Sequence, residues 1–480
     1  MTDKNHLLLG KMVAKIGYYS QTDEKMYYTD IDVSNKRVPL KILYAVFILI
    51  LLSGQIVYAA GHYIRPPGGS YGNEDGTDWN NAYDGIPSTL IRGDTYYLAD
   101  GSYGKYTFDD PESGSTYITI KKAIGSDHGT NIGWNSAYGD GTAQFNGEGV
   151  GAFSSIVRFS SGYYKFDGQT GGGPGSWGTG HGFTLSNSTN VLFIYLGKNS
   201  ETVEHVEIRH VAIGSPSAPV AGIGTAIYIP PAVQVQSYIT ISHCYIHDIG
   251  DSMTPIYDAN NITFEYNYIT RNATSPKSHG AGMELNNATD ITIRYNLYED
   301  ITGSGWIGFY GGVINNVLIY GNIFRTTPSY TPPEAYNGVV YNTSGADDTQ
   351  SNIKVHNNTF YNLKVAQVLL NSKTQNGHEA YNNIMYNVTG TIGILGYAHD
   401  YNMSDEDLGE INNQITSSDP FIDSINGDFN LIRPTEPGIE LGSSYDKDMV
   451  GRVFSNDGIW DRGALEASPL PPTNLRIIVP

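Results

Sequence analysis

A short strand-like motif recurs six times and constrains the fold more than any other feature of the chain. Each copy alternates apolar and polar residues, as in ITFEYNYITRN (262–272), which is typical of a strand with one buried face. Five copies place asparagine at one shared position, and the first copy has cysteine there. That position is occupied by Cys244, Asn267, Asn296, Asn322, Asn358 and Asn383, at intervals of 23, 29, 26, 36 and 25 residues. Repeats of this length cannot bury their own apolar face and therefore stack into a solenoid.

Stacking would place equivalent residues of successive copies above one another, about 4.8 Å apart. The alternation then predicts one inward column of the core. Its members are Ile241, Phe264, Ile293, Ile319 and Val355. The asparagines would bond one another through their side-chain amides and form a ladder at a bend. On the outer surface, Glu265 and Arg294 would face each other as an ion pair.

Composition limits the classes of function. The chain has 480 residues, and its 40% hydrophobic content is enough for a large core. A formal net charge of −20 argues against a nucleic-acid partner, because a phosphate backbone requires a basic surface. The same charge disfavours unaided binding of a polyanionic sugar. A single cysteine excludes an internal disulfide framework and a cysteine-based zinc site.

The N-terminus predicts export. An apolar run, ILYAVFILILL (42–52), follows three basic residues, and small residues at 57 and 59 suit a signal-peptidase site. We expect residues 42–60 to act as a signal peptide or as an uncleaved signal anchor, with residues 1–41 as a polar tail or n-region. Because the basic residues precede the run, the remaining chain would be extracellular or attached to the cell surface. The cleaved and the membrane-anchored forms remain alternatives.

The strand–asparagine–apolar–turn repeats resemble the right-handed parallel β-helix proteins of the pectate-lyase-like superfamily. Residues 63–106 resemble their N-terminal cap and first strand, and GIWDRGALE (458–466) resembles their closing strand. The resemblance implies an all-β, single-stranded right-handed parallel β-helix over residues 61–466, which we expect to be monomeric. Residues 467–480 would be a proline-rich linker, whose end resembles the opening strand of a further domain. The superfamily includes lyases, hydrolases, epimerases, tailspikes and adhesins, so the resemblance does not define a function.

The strand HGAGMEL (279–285) and its neighbours carry the candidate site. If Met283 and Leu285 face the core, Glu284 faces outward. One coil later the same offset turns Trp306 and Tyr310 outward. One coil earlier, either Tyr257 or Asp258 falls in this column. Such a groove suits a polysaccharide, because sugar rings stack on aromatic rings and sugar hydroxyls bond carboxylates. We therefore predict Asp258, Trp306 and Tyr310 as substrate-binding residues.

A hydrolase is one alternative for this site. Asp251-Ser252, then a strand, then His279-Gly280 resembles part of the polygalacturonase pattern. The resemblance implies that Asp251 is the general acid and His279 its companion. Ser252 stands where that pattern has a second aspartate. Because inverting hydrolysis needs two carboxyl groups, Asp258 or Glu284 would have to substitute for it.

A lyase is the second alternative. Elimination needs a base and a positive charge at the substrate carboxylate. Residues 285–293 contain no lysine and residues 302–320 no basic residue, so the lysine–arginine pair of chondroitinase-B-like and alginate lyases is absent. Lys277, His279 and Tyr310 are other candidate bases, and Asp258 with Glu284 could hold calcium through oxygen ligands.

The sequence thus predicts an exported polysaccharide-binding β-helix protein. If it is an enzyme, the predicted reaction is polysaccharide cleavage, by elimination rather than by hydrolysis. The candidate catalytic residues are His279, Glu284, Asp251 and Lys277. The alternative of a different class is a surface adhesin or structural protein without catalysis.

Overall fold

The computed structural model divides the chain into two compact units, residues 1–58 and 59–480. The structure describes residues 13–20, 25–32, 59–147, 151, 154–187, 191–198, 200–216, 224–272, 280–303, 305–331, 336–342, 349–370, 377–394 and 396–468.

The first unit contains an antiparallel hairpin where the sequence predicted only a polar tail. Its strands are Val13–Ser20 and Lys25–Asp32. The predicted export segment lies outside the described residues up to residue 58. No helix in the described part of the chain is long and apolar enough to cross a membrane.

In the second unit, each coil of the chain adds strands to three parallel sheets around one core. We call these sheets the first, second and third faces. Two long strands, Thr254–Glu265 and Met283–Arg294, pass from the first face into the second. The remaining strands of the first face are Tyr106–Phe108, Ser155–Phe159, Leu192–Leu196, Thr225–Tyr228, Ile307–Gly311, Tyr336–Asn342, Lys364–Leu370 and Thr389–Thr391.

The other two faces are built in the same way. The other strands of the second face are Gly61–Arg65, Tyr83–Asp84, Thr95–Leu98, Ile118–Lys122, Tyr164–Asp167, Glu204–Arg209, Gln236–Ser242, Val313–Tyr320, Thr349–His356, Glu379–Tyr381 and Ala398–Asp400. The strands of the third face are Gly101–Tyr103, Ala143–Asn146, Phe183–Ser186, Val211–Gly214, Tyr245–Ile249, Tyr268–Asn272, Leu297–Glu299, Ile323–Arg325, Thr359–Tyr361, Ile384–Tyr386, Met403–Ser404 and Gln414–Ile415. An antiparallel pair, Phe421–Asp423 with Asp428–Leu431, follows. The only helical turns among the described residues are the 3₁₀ turns Ser136–Tyr138 and Ser424–Asn426. The predicted all-β, right-handed parallel β-helix is confirmed.

The predicted core column is also confirmed. Ile241 pairs with Phe264, Phe264 with Ile293, Ile293 with Ile319, and Ile319 with Val355. All five side chains are fully buried. Each strand alternates one such residue with an outward polar one, because successive side chains of a strand point to opposite faces.

The asparagine ladder forms as predicted and is longer than predicted. Asn267 Nδ2 donates to Asn296 Oδ1 at 3.0 Å and to the Ile241 carbonyl at 2.9 Å. The same two bonds recur at every step down to Asn402, which the sequence analysis did not include. The ladder members are Asn267, Asn296, Asn322, Asn358, Asn383 and Asn402. Cys244 ends the column as a buried packing residue whose backbone N–H donates to Asn267 Oδ1.

The closing segment differs from its prediction. GIWDRGALE (458–466) forms bends rather than a strand, although Trp460, Asp461 and Glu466 are buried there. Arg462 is also buried and donates to the Asn402 carbonyl at 2.8 Å, so the segment covers the last rung of the ladder. The segment therefore closes this end of the solenoid through side-chain contacts and not through strand pairing.

Candidate functional site

Glu284 lies at the centre of a buried polar cluster on the first face. It faces away from the core between Met283 and Leu285, as predicted, and is 6% exposed. One carboxylate oxygen accepts a short hydrogen bond from the Ser252 hydroxyl, and the other accepts from the Tyr257 hydroxyl at 2.8 Å. No described lysine, arginine or histidine pairs with it. We call Glu284, Ser252 and Tyr257 the Glu284 cluster.

Tyrosines extend from this cluster along the first face. The Tyr257 and Tyr228 rings meet edge to face at 6.2 Å, and Tyr228 stacks on Tyr195 at 5.4 Å. Burial, together with the neighbouring Glu284 carboxylate, raises the pKa of Tyr257 well above its usual value. Its hydroxyl therefore remains a hydrogen-bond donor at neutral pH. We call Tyr195, Tyr228 and Tyr257 the tyrosine row.

The far end of the tyrosine row opens into a basic cavity of about 330 Å³. Its cationic side chains are Lys105, Arg158 and Lys198. The Arg158 guanidinium lies 6.0 Å from the Tyr195 ring centre and forms an ion pair with Glu201. The two lysines are exposed and have no ion-pair partner in the described parts of the chain. This end of the first face thus has a local positive charge that the net charge of −20 does not suggest.

Tyr310 and Asp251 lie close to the Glu284 cluster. The strand Ile307–Gly311 pairs Gly308 with Glu284, whereas the predicted offset aligned Tyr310 with Glu284. The Tyr310 ring covers Gly308, because a Cβ atom there would fall 2.2 Å from Tyr310 Cε2. Asp251 is half-buried and directly precedes Ser252. The predicted catalytic residues Lys277 and His279 lie outside the described residues.

Of the two residues predicted for this column one coil earlier, Tyr257 contacts Glu284, whereas Asp258 contacts other residues. Pro255, not Asp258, pairs with Glu284. Asp258 occupies the corner between the first and second faces with φ of 46°, a left-handed conformation that aspartate tolerates better than most residues. Its carboxylate accepts from Asn287 Nδ2 at 2.6 Å and from the Ala232 backbone N–H at 3.1 Å. Its observed contacts are those of a corner residue.

The outward orientation predicted for Trp306 is wrong. Its side chain is 0% exposed and packs in the core, with its ring centre 6.3 Å from that of Phe324. Trp306 lies one residue before the strand Ile307–Gly311, where strand alternation does not yet apply. A large apolar ring gains more from the core than from the surface, since aromatic side chains dominate core energetics.

The predicted calcium pair gains no support from these contacts. Both Glu284 oxygens accept hydroxyl protons, and both Asp258 oxygens accept N–H groups. Within the described residues, no group of three or more histidine, cysteine, aspartate or glutamate side chains is placed to hold a metal ion. Asp258 and Glu284 as calcium ligands stay a prediction from sequence.

Comparison with known proteins supports the fold. Residues 174–360 match the family model of the right-handed β-helix region. This match covers less than half of the chain and agrees with the right-handed parallel β-helix that the three stacked sheets form. No curated protein sequence is significantly similar to the chain.

The solved structures that are similar to it include the following three. Pectate lyase Pel9A is 11% identical with a TM-score of 0.44, over 86% of this chain and 98% of its own. An alginate lyase from Paenibacillus sp. str. FPU-7 is 12% identical with a TM-score of 0.36, over 74% and 98%. The PL6 family polysaccharide lyase Pedsa3628 from Pseudopedobacter saltans is 13% identical with a TM-score of 0.29, over 80% and 94%.

Proposed function

We propose that this protein binds a polysaccharide along the first face, with the Glu284 cluster at the centre of the contact surface. The Glu284 cluster carries the proposal. A carboxylate that is nearly buried, and that no described cation neutralises, is costly to keep unless it has a use. Sugar hydroxyls are suitable donors for its remaining lone pairs.

The tyrosine row supports an extended ligand. Tyr195, Tyr228 and Tyr257 come from three successive coils, so the row spans about 10 Å. Tyrosine presents a flat apolar ring and a polar hydroxyl, which suits the two kinds of surface that a sugar exposes. The basic cavity beyond Tyr195 adds a place for an acidic substituent of the polysaccharide.

For a catalytic role, we propose β-elimination rather than hydrolysis. The described part of the cluster has one carboxylate in contact with a tyrosine hydroxyl, whereas inverting hydrolysis needs two carboxyl groups set apart around a water molecule. In an elimination, a base removes the C5 proton, the C4–O bond breaks, and an acid protonates the leaving oxygen. We propose the Tyr257 hydroxyl, which stays protonated at neutral pH, as the proton donor to the leaving oxygen, with Lys277 or His279 as the base.

We also propose that the protein acts outside the cytoplasm and that residues 42–60 direct its export. The apolar run and the preceding basic residues support this. A reporter fused after residue 466 should appear outside the cytoplasm, and a cytoplasmic reporter would contradict export. The mature N-terminal sequence would distinguish cleavage from anchoring.

A panel of acidic and neutral polysaccharides tests the binding proposal, with affinity measured by calorimetry. Tyr195→Ala and Glu284→Gln should each weaken binding by about tenfold or more, since a central contact is worth above roughly 1–2 kcal/mol. Matched controls are Tyr381→Ala, on the second face, and Glu440→Gln, which is exposed; both should bind like the native chain. Unchanged binding by the two first-face variants would contradict the proposal.

The same panel tests cleavage when it is followed both by the absorbance of unsaturated products and by reducing ends. Elimination yields both signals, whereas hydrolysis yields reducing ends alone. Tyr257→Phe should lower an elimination rate by roughly 10²–10⁴-fold if its hydroxyl is the general acid. Binding without either signal would favour the adhesin alternative.

A further inference from the structure

A second surface of the solenoid, apart from the site described above, forms a long depression. A shallow trough of about 500 Å³ runs along the second face, on the other side of the corner at Asp258. Its lining comes from five consecutive coils, plus Tyr117 further along, and is therefore at least about 19 Å long. A trough this long and open suits an extended polymer, because small molecules are usually held in enclosed, apolar pockets.

The floor of the trough is a run of outward hydroxyl groups. Thr240, Thr263 and Thr292 pair in successive strands and are all half-buried. Glu207 precedes them in the same column and Leu318 follows them. Each threonine presents a hydroxyl, which both donates and accepts, beside a methyl group. The floor therefore repeats one polar and apolar pattern at every coil.

One wall of the trough changes from rings to amides along its length. The His205 ring stacks on the Tyr238 ring at 4.6 Å with an angle of 4° between them. The next residues in this column are Asn261, Asp290 and Asn316, and Asn316 Nδ2 donates to Asp290 Oδ1 at 2.6 Å. Tyr238 is 51% exposed. Its ring is held in place by stacking on His205 and still presents an apolar surface to the trough.

Charge narrows the class of ligand. Among the described residues, no lysine or arginine lines the trough, and its acidic lining residues are Glu207 and Asp290. The cations beside it, Lys165 at 3.1 Å and Arg209 at 2.9 Å, are both paired with Glu207, whereas Asp290 accepts from the Asn316 amide. Nucleic acids and acidic polysaccharides would therefore meet carboxylates with no unpaired cation among these residues. Neutral sugars offer hydroxyl groups to the acids and amides, and ring faces to Tyr238.

We propose that this trough binds one extended chain of a neutral polysaccharide, parallel to the solenoid axis. The proposal goes beyond the first-face function and does not depend on it, because no residue of the trough belongs to the Glu284 cluster, the tyrosine row or the basic cavity. The protein would then hold two polysaccharide chains, or two parts of one, on adjacent faces.

The test uses cellohexaose, mannohexaose and xylohexaose as neutral probes, with affinity measured by calorimetry on the native fold. Tyr238→Asn should weaken binding at least fivefold. Asparagine is chosen because Asn261 and Asn316 already occupy this corner with φ of 52° and 55°, close to the 54° of Tyr238. Asn261→Tyr should strengthen binding severalfold, since it would extend the ring stack by one coil.

Two controls separate this site from the first face. Tyr381→Ala, on the same sheet outside the trough, should leave affinity for the neutral probes unchanged. Glu284→Gln should also leave it unchanged, while it weakens binding of first-face ligands. The proposal is overturned if no neutral probe binds, if Tyr238→Asn binds like the native chain, or if Glu284→Gln alone removes binding.

Discussion

The asparagine ladder and the Glu284 cluster both bury polar groups along the same solenoid, yet they are built in opposite ways. Inside the ladder, as at Asn296, the amide accepts two hydrogen bonds and donates to the next asparagine and to a backbone carbonyl, and this pattern repeats from coil to coil. The Glu284 cluster occurs once, and its carboxylate receives only two hydroxyl protons. The strands above and below Glu284 supply Pro255 and Gly308, so nothing there repeats it.

The difference separates a structural device from a candidate site. A buried polar group that recurs in register satisfies the next copy of itself, so it stabilises the stack at each step. A buried carboxylate that appears once has no such partner and depends on neighbours of other types. Residues of the ladder should therefore control stability, whereas residues of the Glu284 cluster should control ligand binding.

The largest expected effect is on stability, at the middle of the ladder. Asn296→Ala removes four side-chain hydrogen bonds and leaves the Asn267 N–H and the Phe264 carbonyl buried without these partners. The free energy of unfolding should fall by roughly 2–6 kcal/mol, at about 1–3 kcal/mol for each of these two unsatisfied groups. Urea unfolding followed by circular dichroism measures this. Asn426→Ala, at an exposed site, should change the value by less than about 0.5 kcal/mol.

The difference between repeated and single features also explains which parts of the molecule could be predicted from the sequence. The ladder could be predicted because a repeat reports its own register, from Asn267 to Asn383. Asn402 was missed because it follows after only 19 residues, in a copy with a short strand on each side. The basic cavity was missed because Lys105, Arg158 and Lys198 come from coils before the repeats, where no motif sets the register.

The errors within the predicted site have a common cause. Asp258 and Trp306 lie at a corner and at a strand entrance, where one residue of left-handed or irregular backbone changes which way a side chain points. Strand alternation predicts Glu284 correctly because Glu284 lies inside a strand. The position of such bends depends on contacts between coils. The alternation of apolar and polar residues within a single strand does not reveal these contacts.

The second prediction concerns the pH dependence of stability. Buried carboxyl groups titrate, whereas the ladder amides do not, so pH distinguishes the two kinds of buried polar group. Glu466, 2% exposed in the closing segment, has its pKa raised by burial and by Asp461 from 4.5 to about 8. A carboxyl group whose folded pKa is raised stabilises the fold fully below the unfolded value, and this contribution is lost as the pH rises through the folded value. The contribution of Glu466 to stability should therefore fall between pH 4.5 and about 8, by up to about 5 kcal/mol.

Thermal unfolding of the native chain and of Glu466→Gln across that pH range measures this effect. Relative to the native chain, the variant should lose the Glu466 part of the pH dependence, because glutamine cannot ionise. Glu440→Gln, at an exposed position, should keep it. Equal pH dependence in the native chain and Glu466→Gln would show that the titrating group lies elsewhere.

The third prediction concerns the end of the ladder, where no further asparagine follows. Glu410 takes that place, since its carboxylate accepts from the Asn402 backbone N–H at 2.9 Å and from Asn402 Nδ2 at 2.6 Å. Glu410→Ala should lower the free energy of unfolding by about 1–3 kcal/mol, because it leaves one ladder end unsatisfied. Glu406→Ala, exposed four residues earlier, is the control and should be nearly neutral. An equal loss in both variants would contradict an end-capping role.

The smallest expected effect on stability is at Glu284 itself. Glu284→Gln keeps the size of the side chain, and the Ser252 and Tyr257 hydroxyls can turn to donate to the amide oxygen or to accept from its nitrogen. The free energy of unfolding should therefore change by less than about 1 kcal/mol, a small effect for a buried polar position. Urea unfolding of this variant beside Asn296→Ala makes the comparison directly. If Glu284→Gln costs as much stability as Asn296→Ala, the cluster is structural like the ladder, and its proposed role at the centre of a polysaccharide-binding face loses its main support.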